Sequence, residues 1–308
     1  MSSSSATATR ILKRPESTVG LGIALMLFGD FLFASNDVLG KWLVATYSVG
    51  QLLLIRSLAA LVVMAPMLLR TGLQPLIRLE RPRTQVMRVV FATFEVLCFY
   101  WAVYYLPIAD VMVFYLAAPI YVAALSPWML GERVGWRRWT AILIGFCGVV
   151  VALRPSAETL SLASLISVAG SLTFALLVIQ SRQLRATSDT ALVFWQTVGA
   201  LVAGLLMAPI GWVTPTPFDF GLLSLLGVVA MFAHICIVRS LKFAPAALLA
   251  PIHYTLLLWA ILFGYIVFGD VPEPQMMVGA AIIIGAGLFI FVRERKTKGE
   301  VTLPADIV

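Results

Sequence analysis

The sequence predicts an all-α integral membrane protein, ten transmembrane helices arranged as two inverted five-helix repeats. Three observations predict it. Sixty-one percent of the residues are hydrophobic and 12% charged, with a mean hydropathy of +0.97. A soluble domain is roughly 45–50% apolar and about 25% charged, so this chain could not present a wetted surface all round. The apolar runs are about 17–23 residues, the length a helix needs to cross roughly 30 Å of hydrocarbon. The two halves also repeat each other 138 residues apart.

In chain order the spans fall at about 20–42, 49–69, 87–105, 108–130, 136–153, 160–181, 190–210, 219–239, 245–268 and 275–292. Barrel strands would be about 10 residues long and alternating, which these runs are not. The links are short, the longest running from Arg70 to Val86, and none has room for a soluble domain. The chain divides into a cytoplasmic tail (1–19), a first repeat (20–155, spans 1–5), a second repeat (156–292, spans 6–10) and a second cytoplasmic tail (293–308).

The repeat can be followed residue by residue. Pro107 and Ala109 fall on Pro245 and Ala247, Leu130-Gly131-Glu132 on Phe268-Gly269-Asp270, and Cys98 on Cys236. Earlier the offset drifts: Phe33-Ala34 matches Phe174-Ala175, and Met64-Ala65-Pro66 matches Met207-Ala208-Pro209. Five spans is an odd number, so the second repeat enters the membrane in the opposite sense. That is the inverted arrangement common among secondary transporters.

Basic residues sort by side. Nineteen of the 22 Lys and Arg lie in the N-tail, the even-numbered links (Arg88 among them) and the C-tail. Lys41 and Arg154 lie on the other side, and Arg56 is inside span 2. The positive-inside rule then places both termini in the cytoplasm, in the inner membrane of a bacterial cell. The basic balance is a topology signal here, and no nucleic-acid partner is expected. Cys98, Cys147 and Cys236 all fall inside spans and read as packing residues. Span 1 is too long for a cleavable signal and is expected to be retained.

The run from Tyr104 to Pro155 resembles the EamA module of the drug/metabolite transporter superfamily. Leu106-Pro107-Ile108-Ala109, Pro119 in mid-span, Leu130-Gly131-Glu132-Arg133, Gly145 and Gly148 carry the resemblance. The second half repeats it with Pro245-Ala246-Ala247, Gly269-Asp270, Gly279, Gly285 and Gly287. Two departures stand out: Glu132-Arg133 becomes Asp270-Val271, and Pro119 corresponds to Leu257. Length and aromatic-rich spans are similar to the bacterial amino-acid exporters of this group. The resemblance implies a transporter whose spans 4 and 9 line the central pathway.

Charges inside a bilayer cost about 2.5–3.5 kcal/mol on insertion scales and usually face a bundle interior or water. The candidates for a substrate pathway are Asp30, Arg56, Glu95, Tyr115, Pro119, His253 and Tyr254. Asp37 and Arg56 fall at similar depth, so an ion pair between them is expected. It reads either as a lock between two helices or as a carboxylate-binding arginine poised by its partner. Tyr115 and His253 are repeat equivalents, and Pro119 removes a backbone hydrogen bond and allows a bend. Ala141-x-x-x-Gly145 and Ala281-x-x-x-Gly285 are small-residue pairs that permit close helix approach. They are read as packing within a monomer, with a homodimer as the alternative.

No G-x-x-x-x-G-K-[ST] run occurs, so the chain is not built to hydrolyse ATP. A membrane enzyme acting on lipid would need a nucleophile, metal ligands or paired acids near an interface, and the two histidines and three cysteines are scattered. No enzyme activity, cofactor or metal site is expected. The expected function is export of small organic metabolites, amino acids with aromatic or other apolar side chains first, nucleosides or drugs as the alternative. The partners are a small-molecule substrate and the lipid bilayer.

Overall fold

The computed structural model describes residues 16–72, 74–77, 81–131, 135–153, 161–184, 187–243, 252 and 254–300. All regular structure among them is helical: α1 (Glu16–Val44), α2 (Val49–Thr71), α3 (Gln74–Ile77), α4 (Pro82–Tyr105), α5 (Ile108–Tyr115), α6 (Ala118–Met129), α7 (Trp136–Leu153), α8 (Leu162–Gln183), α9 (Asp189–Met207), α10 (Pro217–Phe243), α11 (Thr255–Phe263), continued by a π-helical turn at Gly264–Phe268, and α12 (Pro274–Glu300). Six of these helices are long and apolar enough to cross a membrane, and shorter apolar stretches at Ile108–Val122, Trp139–Ala152, Thr255–Phe268 and Pro274–Phe289 bring the number to ten. α5 with α6 forms span 4, and α11 with its π-turn forms the described part of span 9.

Local chemistry sets the helix ends. Ser48, Ser161 and Ser188 each accept a hydrogen bond from a first-turn amide, that of Gln51, Ser164 and Ala191 respectively. Gly131 and Gly269, repeat equivalents, follow α6 and the π-turn with φ of 68° and 72°. Both chain reversals rest on left-handed backbone, where any side chain is strained. This is the physical content of the repeated Gly-Glu and Gly-Asp dipeptides.

The packing obeys the repeat. α1 lies along α10, and α8 lies along α4; exchange of the two modules converts one contact into the other. The pairs α2–α9, α7–α12 and α5–α11 map onto themselves. Chain direction alternates at each link, so equivalent helices run antiparallel, as an inverted repeat requires. The equivalence reaches single residues. A Cβ on Gly29 would press on Cys236 and Ile237, and one on Gly170 would press on Cys98 and the Tyr115 hydroxyl. Cys98 and Cys236 are repeat partners, so the same cysteine-on-glycine approach closes both helix pairs.

Three expectations need correction. Cys147 is exposed on α7, facing outward, whereas Cys98 is buried and Cys236 half-buried. The α7–α12 contact uses Gly148, Ala152, Gly279 and Ala286, while nothing approaches Gly285 within 4 Å. The Ala281-x-x-x-Gly285 stripe therefore faces away from the fold, because one helix face can meet α7 and Gly279 already occupies it. Finally, span 4 is not one helix. It stops at Tyr115 and restarts at Ala118, just before Pro119, with Ala117 N–H turning back to Phe114 O. Tyr254, equivalent to Leu116, likewise stands in a turn before α11.

Candidate functional site

The polar residues of α1, α2 and α4 meet inside the bundle. Asp30, Asn36 and Asp37 on α1 are buried at 0%, 3% and 8% exposure. Arg56 on α2 donates from Nη1 to Tyr100 Oη at 2.8 Å, and its guanidinium lies 5.3 Å from the Tyr100 ring centre. Two glycines permit this. A Cβ on Gly227 of α10 would collide with the Arg56 carbonyl, and a Cβ on Gly40 of α1 would collide with the Tyr100 ring. Asp37, Glu95 and Tyr100 lie within electrostatic reach of one another and of Arg56. Asn36 Oδ1 has no hydrogen-bond partner among the described residues.

The expected Asp37–Arg56 ion pair does not close, although both residues are described. Their attraction acts across space, because the guanidinium is turned onto the phenol of Tyr100. Asp30 makes a different link: Thr255 Oγ1 of α11 donates to its Oδ2 at 3.2 Å, tying span 1 to span 9. Tyr115 sits at the end of α5, at the break in span 4. Its hydroxyl donates to the Glu95 backbone carbonyl at 3.3 Å. Its ring meets Phe99 edge-on at 5.6 Å and Phe174 at 6.1 Å. Pro119 occupies the first turn of α6. Tyr254 lies apart, its hydroxyl seated against Gly287 of α12. His253 lies outside the described residues.

The structure thus brings together Arg56, Asp37, Glu95 and Tyr115 from four helices, α1, α2, α4 and α5, and adds residues that sequence reading passed over. Tyr100 is the foremost. In sequence it is one aromatic among Phe99, Trp101, Tyr104 and Tyr105, and only Gly40, sixty positions away, reveals the space made for its ring. Thr255 carried no signal either. His234 packs its ring edge-on against Phe33 at 4.8 Å and bonds through Nδ1 to the Ala230 carbonyl, the geometry of a satisfied packing histidine.

A second polar group lies nearer the end that carries the basic links. Arg88, counted with the loop cations above, is buried at 7% exposure. It donates from Nε to Ser181 Oγ at 2.9 Å, from Nη1 to Leu192 O at 3.0 Å and from Nη2 to Gln196 Oε1 at 3.2 Å. The reason is that α4 starts at Pro82, earlier than expected, which places Arg88 on the face that packs on α8 and α9. The loop before it also packs: Trp195 Nε1 of α9 donates to Leu76 O of α3 at 3.0 Å.

At the opposite end, polar contacts join the two modules. Lys41 Nζ meets Asp270 Oδ2 at 2.8 Å and lies 4.7 Å above the Phe268 ring. Tyr47 donates to Asp219 Oδ2 at 2.6 Å, and Gln51 exchanges two hydrogen bonds with the Val213 backbone.

Comparison with known proteins agrees with the architecture. Residues 20–154 and 161–292 each match the EamA-like transporter family. An S-adenosylmethionine uptake transporter of Rickettsia bellii is 26% identical over 280 residues, covering 91% of this chain and 96% of the relative. A riboflavin transporter of Vibrio cholerae is 29% identical over 79% of this chain and 83% of its own length. The pseudopaline exporter CntI of Pseudomonas aeruginosa is 24% identical over 86% and 94%. A crystal structure at 18% identity superposes with a TM-score of 0.61, covering 91% of this chain and 99% of the other. Two copies of one module, inverted and packed about a buried polar centre, are a transporter's architecture and not an enzyme's, and the chain belongs to the EamA-like transporter family of small-molecule membrane transporters.

Proposed function

We propose that the protein is a secondary transporter that exports small zwitterionic metabolites of the amino-acid type, aromatic or otherwise apolar in side chain, by alternating access. In this proposal both termini are cytoplasmic, and the modules 20–155 and 156–292 rock about a fixed central site. The observation that carries the reading is the company Arg56 keeps. One guanidinium, aimed by Tyr100, shares a partly buried centre with the carboxylates of Asp37 and Glu95. An α-amino acid needs a planar donor for its carboxylate and acids for its ammonium, and this set supplies both. Tyr115, at the break in span 4, and its repeat equivalent His253 would hold the side chain. S-adenosylmethionine, named for one relative, is itself an α-amino acid.

Counterflow in proteoliposomes tests the proposal. Vesicles preloaded with unlabelled substrate receive labelled phenylalanine, tyrosine, S-adenosylmethionine, riboflavin or adenosine. Exchange of at least one α-amino acid is expected, with loss in Arg56→Gln. Exchange of riboflavin or adenosine alone would move the protein to neutral ring compounds and remove the role given to Arg56.

A further inference from the structure

The repeat provides a control for every polar residue in the bundle: the same position in the other module. Applied to the α4–α8–α9 contact, it isolates a feature that the fold does not require. Gln85 and Arg88 lie one turn apart on the buried face of α4. The offset that carries Cys98 to Cys236 carries them to Leu223 and Leu226, both fully buried core residues of α10. One end of the bundle closes this helix pair with leucines, the other with a glutamine and an arginine.

The polar set is incompletely satisfied. Gln85 is 2% exposed, and neither its Oε1 nor its Nε2 has a partner among the described residues. Gln180 Oε1, next to the Ser181 that Arg88 holds, is also buried and unpartnered. Each acceptor on Arg88 is neutral: a hydroxyl, a backbone carbonyl and a side-chain amide. N–H donors on both of its Nη atoms stay unused. A buried guanidinium whose acceptors among the described residues are all neutral is costly, and buried amide groups in native proteins are nearly always paired. A small anion that accepts from the guanidinium and from Gln85 Nε2 would relieve the cation and that one unpaired donor together.

We propose that Arg88 and Gln85 form a second ligand site between α4, α8 and α9, distinct from the Arg56 centre, that binds a carboxylate. The planar guanidinium fork suits a carboxylate better than a spherical ion. The site lies toward the end with the basic links. The proposal does not depend on which solute is transported.

Thermal unfolding of the purified full-length protein in detergent tests it. Sodium acetate replaces sodium chloride at constant ionic strength, with acetamide as the neutral isostere and glycine as the zwitterion. Acetate is expected to raise the Tm by roughly 2–4 °C near saturation, and acetamide to leave it unchanged. Glycine acting like acetate marks the ligand as an amino acid; acetate acting alone marks it as a simple organic acid. Arg88→Gln removes three inter-helix bonds and so tests folding together with binding; the deciding variant is Gln85→Leu, which copies Leu223. It should fold, and its acetate shift should fall at least threefold. An equal acetate shift in Gln85→Leu, or none in the wild-type protein, overturns the site and leaves Arg88 a structural tie.

Discussion

Lys41 and Asp270 join the end of span 1 to the turn after span 9, and so join the two modules at the end away from the basic links. Their separation of 2.8 Å corresponds to about 6 kcal/mol of attraction at an effective dielectric of 20 and about 1.5 kcal/mol in water. The side chains are 16% and 25% exposed, so screening is partial. Ordering the lysine costs about 1.5–2 kcal/mol of rotamer entropy, and the Phe268 ring returns about 0.5–1 kcal/mol. The net coupling should be about 1–2 kcal/mol, a 5- to 30-fold change in the unfolding equilibrium. A double-mutant cycle of Lys41→Met and Asp270→Asn, read by unfolding in mixed micelles, measures it. The coupling should shrink on raising salt from 0.05 to 0.5 M. Additive single effects, agreeing within about 0.3 kcal/mol, would refute the reasoning and reduce the pair to a surface contact.

Gly170→Ala should lower stability by about 1–3 kcal/mol, because the new Cβ meets the Tyr115 hydroxyl and Cys98; Tyr115→Phe, which removes the nearest atom, should recover part of the lost Tm, and absence of any rescue counts against this contact. Tyr47, outside the spans, donates to Asp219, and that bond holds its phenol pKa above the ordinary value. A raised pKa stabilises the fold below the unfolded value near 10 and loses that contribution as pH rises through the folded value. Wild-type stability should therefore fall in alkaline solution above about pH 10 more steeply than that of Tyr47→Phe, and parallel profiles would contradict the bond. A cysteine at Thr216, in the link before α10, should react with an impermeant thiol reagent on intact cells; labelling only after lysis would reverse the proposed orientation.

The parts of this fold that were legible in sequence are those governed by local rules. Apolar run length located the helices, and the left-handed glycines recurred as Gly131 and Gly269 because no other residue serves that turn. Proline signalled the interruption of span 4. What escaped was decided by contacts between distant segments. Arg88 resembled its neighbours Arg81 and Arg83; Pro82 signals where α4 begins, but no local rule tells which face α4 turns to α8, and that face makes Arg88 a buried cation. Asp37 was matched to Arg56 by depth, but depth does not fix the azimuth of a side chain, and Tyr100 holds the guanidinium instead.

The inverted repeat also separates what the scaffold demands from what the chemistry demands. Positions where both modules carry the same solution belong to the scaffold: the glycine–cysteine approaches at Gly29–Cys236 and Gly170–Cys98, and the glycine turns at 131 and 269. Positions where one module is polar and its equivalent apolar cannot be explained by packing, because the equivalent already shows an apolar packing that works. Gln85 and Arg88 against Leu223 and Leu226 meet that criterion. Asp37 meets it too: the offset linking Phe33 to Phe174 carries it to Val178, on a helix that packs in the same way. A symmetric scaffold can expose one site to either side of the membrane in turn, but a solute that moves in one direction meets unlike concentrations and unlike chemistry at the two ends. Polar groups confined to one half are what a directional pathway through a symmetric frame would require.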